Sequence, residues 1–103
     1  MTNEQKKMVV GDFEKFMQHI LHQGNEFTLE MFIKFGTSLV NFYTGSQLIT
    51  SIDRKPTGLL LVTCFNKGIG NRISDKDLDE ISDFIISDSS LDYSILNPIF
   101  GHS

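Results

Sequence analysis

Cysteine occurs once in these 103 residues, tryptophan not at all and proline twice, and no uninterrupted apolar run is longer than Leu59 to Val62. A single cysteine, Cys64, cannot close an internal disulfide, which agrees with a reducing compartment. No stretch approaches the roughly 20 apolar residues that a membrane helix needs. The opening MTNEQKKMVV carries two lysines but runs into Gly11, Asp12 and Glu14, so it lacks the apolar core of a signal peptide. A soluble, cytoplasmic protein is the expectation. Internal repeats, low-complexity tracts and linkers are also missing, and so is any complete catalytic motif.

What is present is a 40% apolar chain with nine phenylalanines, sufficient for one core and one domain spanning 1–103. That core must offset an ordering cost of roughly 1.5 kcal/mol per residue, so few large apolar side chains can be spared for the surface. The phenylalanine surplus fits either a core or the seam of a homodimer. Charge is unevenly spread along the chain. Seven of thirteen carboxylates lie between Asp75 and Asp92, whereas Arg54 to Arg72 holds four cations and no acid.

Val9, Phe13, Phe16, Met17, Ile20 and Leu21 recur at steps of three and four, which predicts a helix over residues 3–23. Thr2 and Gln5 are spaced as a capping box, and Gly24 supplies a left-handed stop. Residues 27–43 carry two patterns. Phe27, Leu29, Met31, Ile33 and Phe35 alternate as in a strand, yet Leu29, Phe32, Ile33, Gly36, Val40 and Tyr43 form a helical stripe. Thr28 as cap, a Phe27–Phe32 staple and the Glu30–Lys34 spacing favour helix, with Gly36 allowing a close crossing against the first helix.

From Gln47 to Phe65 the residues read as a β-hairpin, with Pro56 and Gly58 in its turn. A third helix starts at Ser74, with Leu78, Ile81, Phe84 and Ile85 facing inward. The apolar tail, Leu91 to Phe100, is expected to pack back as a short strand or one helical turn. The fold class predicted is therefore α+β, in the order helix, helix, β-hairpin, helix. The alternative makes 27–43 two more strands, giving a four-stranded antiparallel meander flanked by helices.

Several partial motifs have plainer readings. Asp75, Asp77 and Asp79 resemble the start of a calcium loop, but Glu80 stands where glycine is needed and Ile86 where the bidentate glutamate is needed. His19 and His22 lie one turn apart, and with Cys64 or His102 they could compose a metal set, although ordinary helix-surface positions explain them. Cys64 sits among apolar neighbours that raise a thiol pKa, so it is read as inert. No catalytic residue, metal or cofactor is assigned, and the question of enzymatic activity is left open, the residues leaning against it.

The functional expectation rests on charge. Asp75, Asp79, Glu80 and Asp83, extended by Asp88 and Asp92, are read as a face that docks on a basic protein partner and inhibits or modulates it, in the manner of immunity proteins and toxin antagonists. One alternative is a nucleic-acid-binding module using Arg54, Lys55, Lys67 and Arg72, against which the net charge of −4 argues. The other is a phosphate or CoA ligand held by the Lys67, Gly68, Gly70, Arg72 loop, which has glycines after a predicted strand but lacks the full fingerprint.

Overall fold

Thr2 donates its N–H to the Gln5 side-chain oxygen at 2.8 Å and accepts the Gln5 N–H on its hydroxyl at 3.0 Å, so the capping box fixes the start of helix α1, Asn3–His22. The chain leaves that helix through Gly24 at φ +75°. These features belong to a computed structural model that describes residues 1–101. Helix α2, Leu29–Gly45, opens on Thr28, whose hydroxyl accepts the Met31 N–H, with the Phe27 and Phe32 rings 6.2 Å apart edge to face. The helical reading of 27–43 therefore holds and the four-stranded meander does not.

The hairpin does not form either, and the α+β class gives way to a small all-helical domain with no strand among the described residues. A 3-10 turn, Ser51–Asp53, leads directly into helix α3, Arg54–Gly68. Helix α4 is Asp75–Ser87, capped by Ser74, and the tail becomes helix α5, Tyr93–Phe100, instead of a strand or single turn.

The reason for the miss lies in where α3 sits. It packs against α1, α2 and α4, and its buried positions follow a helical period, but the inner face includes Thr57, Gly58 and Asn66 while the outer one carries Leu59, so apolar character does not mark the period. A short apolar run buried on several sides looks the same whether it is strand or helix. Pro56 falls in the first helical turn, where its missing N–H has no partner to lose. Thr57 and Thr63, β-branched and suggestive of a strand, donate their hydroxyls to the carbonyls of Asp53 at 2.7 Å and Leu59 at 2.8 Å, one turn back.

An aromatic cluster binds α1, α2 and α3 together. Phe16 stacks on Phe35 at 4.1 Å and Phe32 on Phe65 at 4.5 Å, while Phe27 meets Phe16 and Phe65 edge to face. Most of the phenylalanine surplus is thus core. Helix α4 closes on the other side through two glycines. A Cβ at Gly58 of α3 would fall 2.8 Å from Ile86 Cγ2 and 2.9 Å from Ser82 Oγ, and one at Gly36 of α2 would fall 3.1 Å from Ile85 Cδ1. Gly36 thus serves the α4 crossing, not the α1 crossing expected.

One buried polar pair was not visible in the sequence. Asp12, 7% exposed, accepts the Tyr43 hydroxyl at 2.5 Å inside the core. Burial pushes the Asp12 carboxyl above its ordinary range, opposed by the Tyr43 hydrogen bond and by Lys15, and both burial and Asp12 push the Tyr43 hydroxyl upward.

Two outcomes follow from this packing. Gly58→Val should destabilise the fold by about 1–3 kcal/mol through overpacking against Ser82 and Ile86, read as a lower urea midpoint with unchanged slope. Because Asp12 is raised in the folded state, the native chain binds the extra proton, and its contribution to stability is lost as pH climbs from the ordinary carboxyl value through the raised one. Asp12→Asn should remove that component, so the stability difference between variant and parent should move in the variant's favour across this window in urea titrations at stepped pH.

Candidate acidic helix face

Ser74 starts α4 by accepting the Asp77 N–H at 3.2 Å. The two small contacts at Gly36 and Gly58 then set which side of α4 is buried: Ser82 and Ile85 face inward, with Ile86 over Gly58. The solvent-facing side carries Asp75, Asp79, Glu80 and Asp83, all exposed, together with the exposed Lys76. Phe84, expected inward, is 58% exposed on this outer side, one turn beyond Glu80 and adjacent to Asp83 in sequence. Of the four carboxylates only Asp83 is ion-paired among the described residues, with Lys55 Nζ at 3.8 Å and both side chains more than half exposed.

Asp88 and Asp92, read as extensions of that face, are occupied in chain direction changes. Asp88 accepts the Ser90 N–H at 2.8 Å and the Ser90 hydroxyl at 2.6 Å, and Asp92 caps α5 by accepting the N–H of Ser94 at 3.0 Å and its hydroxyl at 2.6 Å. These serine donors hold both carboxyls below the usual range. The Asp-x-Ser spacing, Asp88 to Ser90 and Asp92 to Ser94, was the sequence signal for an Asx turn.

The cations do not assemble into one patch. Arg54 lies at the start of α3, where its guanidinium donates to Thr44 Oγ1 of α2 at 2.9 Å and to the Ile86 carbonyl near the end of α4 at 2.6 Å. It braces three helices. Lys67 lies at the other end of α3, about 18 Å from Lys55 at 1.5 Å of rise per residue. Arg72 is exposed in the loop beyond.

That loop follows a helix end and not a strand, so the charge of the backbone there is negative, the wrong sign for phosphate. Its amides are also in use: Ile69 donates to the Phe65 and Asn66 carbonyls, Gly70 to Lys67, Asn71 to Asn66, and Ile73 to the Asn66 side-chain oxygen at 2.9 Å. Gly70 at φ +88° and Asn71 at φ +58° supply the left-handed conformations that make these bonds possible.

For other chemistry, the described residues contain no group of three or more side chains able to hold a metal ion. His19 is half-buried and His22 exposed; His102 lies outside the described residues. Cys64 is half-buried on α3, and burial raises its thiol pKa against the opposing pull of Lys67. No helix is long and apolar enough to cross a membrane among the described residues. No protein-family model, curated protein or solved structure matches the chain.

Arg54 is testable apart from any partner. Arg54→Ala should cost about 1.5–3 kcal/mol for the loss of charge-assisted hydrogen bonds, and Arg54→Lys should recover little, since a single ammonium cannot reproduce the two-pronged contact. Urea midpoints of both variants provide the check.

Proposed function

We propose that the chain is a small protein-binding module that uses the outer face of α4 to dock on a basic surface of a protein partner and inhibit or modulate it. The observation that carries this reading is Phe84: a large aromatic ring, 58% exposed, within a helix face of carboxylates whose core-facing positions are filled by other residues. An aromatic anchor surrounded by charge is the usual composition of an interface hot spot and its rim. The unpaired carboxylates Asp75, Asp79 and Glu80 would steer a cationic partner and limit the choice among partners more than they would add affinity.

The test compares capture from a native lysate, and then association kinetics with the captured protein, for the parent and two variants. Phe84→Ala should weaken the complex by about 2 kcal/mol or more, mainly through faster dissociation. Asp79→Lys with Glu80→Lys, chosen because neither residue is itself ion-paired among the described residues, should slow association at low salt with much less effect at high salt. A captured protein that binds parent and both variants with the same rates would overturn the reading.

A further inference from the structure

Helices α1 and α3 run in parallel, so that Leu21 near the end of α1 and Gly68 at the end of α3 line the same cleft, about 230 Å³ in volume. Its walls are Phe13, Met17, Phe27 and Phe65, and Leu21 stands 55% exposed at its edge. The single ionisable residue lining it is Glu26. Two properties therefore coincide: an apolar lining rich in aromatic side chains, of which the Phe27 ring is only half-buried, and a single exposed carboxylate beside it.

From this coincidence we propose that the cleft binds a small hydrophobic monocation, an alkyl- or arylalkylammonium. The apolar body would lie among Phe13, Met17, Phe27 and Phe65, and the ammonium would be held by Glu26 beside the half-buried Phe27 ring. The volume corresponds to roughly seven or eight water-sized groups, which selects a fragment-sized ligand. Lys67 and His22 lie close by in sequence. Lys67 lines the adjoining groove with Glu14 and Cys64, and His22 lines a separate depression with Gln18, so neither lines this cleft. This binding involves α1, α3 and the segment before α2 and is independent of the α4 face.

Phenethylammonium is the probe, with 2-phenylethanol as its neutral counterpart and 3-phenylpropanoate as the anion. Titrations followed by methyl NMR should show saturable shifts at Met17, Leu21 and Ile69 with phenethylammonium, roughly five- to tenfold weaker binding of the alcohol, and no saturation with the anion. Glu26→Gln, at an exposed position outside the core, should weaken the ammonium several-fold and leave the alcohol unchanged. Equal binding of ammonium and alcohol, indifference to Glu26→Gln, or shifts confined to other parts of the chain would overturn the proposal.

Discussion

The approach of α4 to α2 and α3 through Gly36 and Gly58 is the constraint on which the rest of the arrangement depends. With any side chain at Gly58, the Ser82 hydroxyl and the Ile86 side chain must shift, so the bare glycine sets how closely this side of α4 lies on α3. The rotation of α4 about its own axis decides which residues meet water. It places a serine at the centre of the buried face and leaves a phenylalanine outside, the reverse of what hydrophobicity alone would select. Arg54 holds the same junction from one end, its guanidinium spanning Thr44 of α2 and the Ile86 carbonyl of α4. Close backbone packing and a two-pronged cation thus fix the same element in complementary ways.

The outward stripe of α3 runs through Lys55, Leu59, Thr63 and Lys67, so it carries charge only towards the two ends of the helix. The apparent basic segment of the sequence is in space two separate ends of one helix. At the first end the cations are engaged by α2 and α4, and at the second the backbone ends in a tight left-handed loop that uses its own amides. Proximity in sequence suggested a patch, and the rise of an α-helix separates it.

What could be read from the residues was mostly local. The Thr2–Gln5 box, the Thr28 and Ser74 caps, the Phe27 staple and the Gly24 stop each involve side chains within a few positions of one another, where the chemistry of the backbone is decisive. What could not be read depends on neighbours distant in sequence. The all-helical class was hidden because α3 is apolar on several sides, and Pro56 and Gly58 look like turn residues until α4 is placed against them. Asp12 resembles any surface acid until Tyr43, 31 positions away, is brought to it. At the candidate face, Asp75, Asp79, Glu80 and Asp83 are exposed as the helical period suggested, but Phe84 is not inward, because the small pair Gly58 and Ser82 turns the buried side away from it.

The acids of the last third separate by what they do inside the molecule. Asp88 and Asp92 close turns and cap a helix, which accounts for their presence without a partner. Asp75 and Asp77 lie in the first turn of α4, where the positive end of the helix favours negative charge. Glu80 and Asp83 gain little from that end, since the effect falls off within the first turn, and the exposed pair of Asp83 with Lys55 contributes at most about 1 kcal/mol. Phe84 leaves apolar area in water that burial would have rewarded. Other apolar side chains are exposed as well, Ile52 at 84% and Tyr93 at 63%, so what distinguishes Phe84 is its position on one helix face with Asp79, Glu80 and Asp83. The docking proposed for this surface therefore rests on the middle of α4 and not on its acidic content as a whole.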